Sequence, residues 1–498
     1  MKKVILFVID ALASDVLIPA IDAGRLPNFQ ALASHGILRE DCISIFPSIT
    51  PAALSSIITG KYPVETEIPG DYWYDETSNT VNYIAGDFSA IMGVGLETFL
   101  EDFLINLNDR FLKAETLFET LEKQNFQAAC LNFFIHRGLH PYEIELPKLM
   151  SWLPTRATNH TIKGASLLHL GDLHQIDIED LDLSELEGMA SRFGFQDDTT
   201  MAILDHLIKR DILPDFTVAY LPDNDWDSHE LGPSNAVFTL EHLDELFEKM
   251  FDLKGGIQNF LEEHIILIVG DHGQSPLAID KDSRGINLTE SLKDFDLVAA
   301  GKSWDKDNEM IACPNLRSTL FYFSQMDKSR FNQVIDQLLN DNRIDQVIWR
   351  GKNVAEDDNG YYVKTAEHGQ LCFYDDTDSA IAFDQYGNGW SWEGQLATVD
   401  GHVSDDGIIT FEAYPNAFER LKNVLDLERS GDMWATAKPG HTFYLEGMEF
   451  EPRGSHGTLH KSDSTTSLLI AGHDANLDIP IYPRIVDVAP IILQILGL

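Results

Sequence analysis

The sequence predicts an α/β fold: a doubly wound, mostly parallel central sheet flanked by helices, with an inserted α+β cap. Three observations predict it. Continuous apolar runs at 4–9, Phe216–Leu221 and His264–Gly270 read as strands buried on both faces, as strands of parallel sheets are. Helical patterns alternate with these runs, the order of a sheet wound by crossover helices. Each run is soon followed by an acidic residue, Asp10, Asp225 and Asp271, at the strand ends where open α/β sheets bind ligands.

Taken in order, residues 4–9 form the first strand, and 26–35 a helix with Gly36 at its end. A short strand at 43–46 leads into Phe46-Pro47-Ser48-Ile49-Thr50-Pro51. A helix then runs to Gly60, with Thr50 at the N-cap and Pro51 at the first helical position. A hydroxyl at a helix start lies beside unpaired N–H groups and the positive end of the dipole. That place suits an anionic substrate, and also an alkoxide. Residues 61–112 are irregular and aromatic, and include Asp71-Tyr72-Trp73-Tyr74-Asp75. A helix at 114–124, a strand at 128–134, a mixed acidic stretch at 140–195 and helices at 199–210 and 237–251 complete the first part.

Beyond 275 the character changes. Strands at 316–323 and Ile344–Arg350, a helix at 330–340 and a hairpin of Tyr361–Thr365 with 370–374 stand among acidic and turn residues. The sheet pattern resumes at 467–471 and closes on a helix at 485–496. The division that follows is a catalytic α/β core over 1–275, an inserted cap over 276–440, and the rest of the core over 441–498.

A chain of 498 residues, 44% hydrophobic, can bury a large core. Asp and Glu outnumber Lys and Arg 80 to 36, for a net charge of −44. Such a surface repels nucleic acid and anionic membranes, so no nucleic-acid binding is expected. A small phosphorylated substrate remains compatible, because bound metal ions reverse the local field. The four cysteines are far apart and form no C-x-x-C, which fits a reducing compartment. Asp10 breaks the N-terminal apolar run too early for a signal peptide, and no run approaches the ~20 residues of a membrane span. The expectation is a cytoplasmic protein.

Asp and His residues from separate strands can build a two-metal site, and oxygen with imidazole ligands suits zinc or manganese. Asp225 and His229 are four apart and can face one ion. Asp271 and His272 are adjacent at a strand end. His456 lies in Gly454-Ser455-His456-Gly457, where flanking glycines let an imidazole approach closely. Asp223, Asp225 and Asp227 imitate the start of a calcium loop, but Ser228 and Ser234 occupy the positions that need Gly and Glu. No G-x-G-x-x-G follows the first strand, and there is no P-loop.

Asp10 after the first strand, Thr50 after Phe46-Pro47-Ser48, Thr59-Gly60-Lys61-Tyr62-Pro63, Asp225-x-x-x-His229 with Gly232-Pro233, Asp271-His272-Gly273 and Ser455-His456-Gly457 together resemble the alkaline phosphatase superfamily. The nearest branch is the type I phosphodiesterase/nucleotide pyrophosphatase group. The resemblance implies two divalent metal ions, zinc or manganese. One is held by Asp225, His229 and His456. The other is held by Asp10, Asp271 and His272, with the Thr50 oxygen as further ligand and as nucleophile. It implies cleavage of a phosphodiester or pyrophosphate bond through a phosphothreonine. A monoester phosphatase, phosphonate hydrolase, phosphomutase or non-catalytic metal-binding relative are the alternatives. Asp71, Trp73 and Tyr74 are expected to form a wall of the substrate site, with the rings stacking on a base or aryl leaving group.

Overall fold

The computed structural model describes residues 1–84, 96–144, 161–305, 308–473 and 477–498. Portions of two stretches considered above, 85–95 and 145–160, lie outside the described residues.

The core is a seven-stranded sheet. Its strands are β1 (Lys3–Ile9), β2 (Gly36–Ile43), β3 (Ala128–Leu131), β4 (Leu167–His169), β5 (Phe216–Leu221), β6 (His264–Gly270) and β7 (Thr465–Ala471). Their order across the sheet is β2-β7-β6-β1-β5-β3-β4. All neighbouring pairs are parallel except the two made by β7. The first strand shows why its run is unbroken. Val4, Leu6 and Val8 face one core, which includes helices Thr50–Thr59 and Val488–Leu496. Ile5, Phe7 and Ile9 face another, which includes helices Pro27–Ser34, Asp197–Lys209 and Val237–Asp252. Helices thus cover both faces, as the alternation predicts.

Register fixes the functional edge. Ile9 is level with Leu221 on one side and Gly270 on the other. Asp10, the turn into helix Asp223–Leu231, and Asp271 therefore leave the sheet at one edge.

Several boundaries differ from the sequence reading. The strand expected at 43–46 ends at Ile43 and begins at Gly36, which opens the strand rather than closing the helix. It is an edge strand and carries few buried residues, so it lacks an apolar run. The strand expected at 128–134 stops at Leu131, because Asn132 turns the chain with φ 58°. The 61–112 stretch is more regular than expected. It holds a hairpin, Tyr72–Asp75 with Thr80–Tyr83, and a π-helix, Asp102–Phe111.

A second, ten-stranded sheet lies between Met310 and Ala437. Helices Lys328–Leu339 and Ala417–Leu425 pack on its opposite faces. The strand expected at 316–323 is half of a tight hairpin, Met310–Asn315 with Ser318–Phe323, whose turn puts Leu316 at φ 54°. Pro314 and Asn315 hid its first half from a propensity reading. The hairpin of Tyr361–Thr365 forms as expected, with Gly369–Asp375.

Candidate active site

The loop before Thr50 makes the first element. Helix Thr50–Thr59 takes Ile49 as its N-cap, with extended backbone, and Ala53 N–H donates to Ile49 O at 2.9 Å. Thr50 is therefore the first helical residue, not the cap, and Pro51 is second. The side chain makes no capping bond. Its Oγ1 instead lies 3.1 Å from His272 Nε2. Gly60 closes the helix in the left-handed region, φ 69°, as expected.

Six of the seven residues singled out in the sequence form two neighbouring groups, and Thr50, the seventh, lies beside them. Asp10, Asp271 and His272 make one, and Asp225, His229 and His456 the other; within each, the candidate ligand atoms lie within 4.8 Å of one another. His272 Nε2 is 3.5 Å from Asp10 Oδ1 and 3.3 Å from Asp271 Oδ2. His229 Nε2 is 3.3 Å from Asp225 Oδ2, and His456 Nε2 is 3.6 Å from Asp225 Oδ1. Helix Asp223–Leu231 places Asp225 and His229 on one face. His456 arrives from a distant part of the chain because Ser275 pairs with Ser455 in a short antiparallel ladder. Gly454 is required there: a Cβ would meet Gln274 Oε1 and Ser228 O, both at 2.3 Å.

The three imidazoles share one orientation. Nδ1 of His229 faces Gly454 O at 2.8 Å, that of His272 faces Gly273 O at 2.9 Å, and that of His456 faces Ser48 O at 2.7 Å. A carbonyl only accepts, so each Nδ1 carries a proton, and Nε2 is the nitrogen turned toward the carboxylates. This is the orientation a metal-ligating histidine needs.

Two residues that the sequence reading missed hold the carboxylates. The Tyr220 hydroxyl donates to Asp10 Oδ2. Gln274 Nε2 donates to Asp225 Oδ1 at 2.9 Å. Gln274 directly follows Asp271-His272-Gly273, a signal that could have found it. Tyr220 sits inside an apolar strand and is level with Val8, two residues before Asp10; only register reveals it.

The site is short of positive charge. Burial, then repulsion from Asp271 and Asp225, pushes the Asp10 carboxyl well above the usual carboxylate range. Burial also raises Asp271. Burial opposes charge on Asp225 and His229 alike, but each stabilises the other's ion. Asp225 is held below the usual range, and His229 is pushed up to about 9. Burial and the neighbouring His272 drive His456 well below the ordinary imidazole value. Asp10 Oδ1 and Asp271 Oδ2 are buried without hydrogen-bond partners. Buried carboxylate oxygens are rarely left so. Three carboxylates with three Nε2 atoms turned toward them fit divalent cations, which would supply the missing charge.

Trp73 and Tyr74 lie on the hairpin strand Tyr72–Asp75, with Asp71 just before it, and the two rings are spent on packing. Trp73 is fully buried, edge-on to Phe111 with centroids 5.1 Å apart. Tyr74 packs on Tyr322 at 5.5 Å, and its hydroxyl donates to Asn79 Oδ1 at 2.8 Å. The hairpin lies between two cores, so alternate side chains bury on opposite faces. Both rings are thus engaged in the interior. Asp71 is also buried, and its N–H donates to Asn315 Oδ1 at 2.8 Å.

A parallel sheet with Asp and His residues gathered at its carboxyl edge, beside a hydroxyl at a helix start, is the arrangement of alkaline phosphatase superfamily hydrolases. The chain belongs to the type I phosphodiesterase / nucleotide pyrophosphatase family, whose model matches residues 4–459. It is similar in fold to phosphonoacetate hydrolase from Sinorhizobium meliloti 1021, solved in complex with phosphonoformate. The two share 16% identity and a TM-score of 0.57, over 98% of this chain and 94% of that one. It is also similar to murine ectonucleotide pyrophosphatase / phosphodiesterase 5, an inactive form in complex with AMP. There the identity is 12% and the TM-score 0.56, over 100% of this chain and 96% of that one. No curated protein sequence matches the chain significantly. Among the described residues, no helix is long and apolar enough to cross a membrane.

Proposed function

We propose that this hydrolase uses two divalent metal ions, zinc or manganese, to cleave the phosphodiester or pyrophosphate bond of a small phosphorylated substrate through a phosphothreonine at Thr50. The observation that carries the reading is the pair of buried, unpartnered oxygens, Asp10 Oδ1 and Asp271 Oδ2, beside Thr50 and three imidazoles with Nε2 turned toward carboxylates. Asp225, His229 and His456 hold one ion. Asp10, Asp271 and His272 hold the other, with Thr50 Oγ1 beside them. When bound, the ions supply Lewis-acid stabilisation of the attacking and leaving oxygens.

The chain's own groups do the rest. The start of helix Thr50–Thr59 leaves early N–H groups without intrahelical partners, and they face anionic phosphoryl oxygen. Thr50 Oγ1 bonds to phosphorus as the bond to the leaving oxygen breaks; the hydroxyl proton passes to solvent, and the leaving oxygen takes one up. Water then cleaves the phosphothreonine and restores the hydroxyl. Backbone carbonyls at Gly454, Gly273 and Ser48 keep the imidazoles oriented throughout.

The inserted segment over 276–440 carries none of these residues and is proposed to select the substrate, with 1–275 and 441–498 forming the catalytic core. A cytoplasmic site of action is supported by four buried cysteines, all unpaired. The test is hydrolysis of an aryl phosphodiester against the matching monoester, each with zinc and with manganese. The diester should be cleaved faster with one of the metals; monoester preference would replace the reading with a phosphomonoesterase.

A further inference from the structure

We propose that Arg420, from the inserted segment, is a positioning residue that fixes the spacing between the loop carrying Thr50 and the loop carrying His456, and with it the spacing of the two ligand groups; this rests on the two-metal reading above. Arg420 lies on helix Ala417–Leu425, which packs against the second sheet. Phe418 of that helix stacks on Phe373 with centroids 4.1 Å apart and planes 10° apart. The guanidinium enters the protein interior, and the residue is only 1% exposed.

Its bonds join two loops. Nη2 donates to Ile45 O at 2.9 Å, five residues before Thr50. Nη1 donates to Leu459 O at 2.9 Å, and Nη2 to Thr458 O at 3.4 Å, just after His456. Nη1 also reaches Ser464 Oγ at 3.2 Å and Pro415 O at 3.0 Å. The same two loops meet at the site, through His456 Nδ1 with Ser48 O at 2.7 Å and Ser48 Oγ with Thr458 O at 2.9 Å.

The choice of residue is informative. All five acceptors are neutral oxygens, so a full charge is buried without a carboxylate among them, a costly arrangement. Burial lowers the Arg420 pKa to about 9. Arg317, the other fully buried arginine of the inserted segment, does have a carboxylate partner, Asp463. An apolar side chain would fill the space of Arg420 with less desolvation. What it cannot do is satisfy carbonyls from two loops at once. The rigid, planar fork of arginine can, whereas lysine donates from a single point.

The test uses the full chain and its Arg420→Lys and Arg420→Gln variants, with zinc as the probe. Zinc affinity and stoichiometry are measured by competition with a chelating dye, alongside the zinc-induced rise in Tm and the kcat and KM for an aryl phosphodiester. If the two ligand groups depend on Arg420 for their spacing, zinc affinity falls roughly 10- to 100-fold, as for residues that orient metal ligands. The zinc-induced rise in Tm shrinks and kcat falls more than KM rises. Arg420→Lys, which keeps the charge and the stem, should retain more of both than Arg420→Gln. A folded Arg420→Lys with wild-type zinc affinity and kcat, and only a lower Tm without metal, overturns the inference. A wild-type chain that binds fewer than two zinc ions overturns the two-metal reading instead. If Arg420→Gln does not fold, Arg420→Lys decides alone.

Discussion

The rings of His272 and His456 stack, with centroids 3.8 Å and planes 19° apart. Each belongs to a different candidate ligand group, so this stack is the seam between them. Both Nδ1 protons are committed to backbone carbonyls, so neither ring can rotate without losing a buried hydrogen bond. The two groups are therefore built as one rigid unit, in which removing a ring at the seam disturbs both sides.

His456→Ala tests this directly. It leaves Asp225 and His229 as the only protein ligands of their group, one fewer than catalytic zinc sites use. Metal content of the purified variant should fall from two ions per chain to one or fewer, because the lost ring also buttresses His272 of the other group, with loss of most activity. Chelation of the wild type should abolish turnover, and zinc or manganese should restore it. Elemental analysis finding two ions in His456→Ala would exclude His456 as a ligand.

Tyr220→Phe removes only a hydroxyl. The ring still packs on Phe134 at 5.0 Å and on Phe133 at 6.1 Å, so the fold should hold. What is lost is the donor on Asp10 Oδ2. Zinc affinity at the group of Asp10, Asp271 and His272 should drop roughly 10- to 100-fold, the usual effect of losing a group that orients a ligand. Competition titration checks it; unchanged affinity would mean that packing alone orients Asp10.

How much of this was readable in advance depends on how local the cause is. Asp10 and Asp271 were legible because each directly ends an apolar run, and parallel strands in register bring such ends together. The spacing of Asp225 and His229 was legible because a helix turn puts them on one face. Thr50 was singled out as a helix cap, but the N-cap is Ile49, an apolar residue that no capping preference selects. The packing of Trp73 and Tyr74 was not legible, because a long aromatic stretch gives no sign that it is a hairpin sandwiched between two cores. Tyr220 and Arg420 act across 210 and 375 residues of chain, distances at which sequence spacing carries no signal.

Away from the site, Asp205 gives a pH prediction. It lies on helix Asp197–Lys209, and its Oδ1 is buried without a hydrogen-bond partner. Burial raises its pKa from 3.8 to about 6, with Lys249 opposing. A carboxyl with a raised folded pKa binds more protons folded than unfolded between those values. Its contribution therefore turns unfavourable as pH rises through that window, and is fully unfavourable above about 6. The Asp205→Asn variant carries a neutral amide at every pH. Its stability relative to wild type should climb from pH 4 to about pH 6 and then level off. Urea unfolding at several pH values checks the shape; a difference independent of pH would refute it.

The last prediction concerns Thr50 itself. Because its hydroxyl makes no capping bond, Thr50→Ala removes no cap. Stability should fall by only about 1 kcal/mol, the worth of the single hydrogen bond given up at His272 Nε2. The rate should nevertheless fall by roughly three or more orders of magnitude, as when a covalent nucleophile is deleted. Thr50→Ser keeps the oxygen and should keep measurable activity. A helix cap would instead show a loss of stability with little loss of rate. Acid quenching during turnover, followed by phosphopeptide mapping, should place phosphate on Thr50. Phosphate on another residue, or near-normal turnover by Thr50→Ala, would mean that water attacks the substrate directly and that the contact between Thr50 Oγ1 and His272 Nε2 serves only to hold the loop.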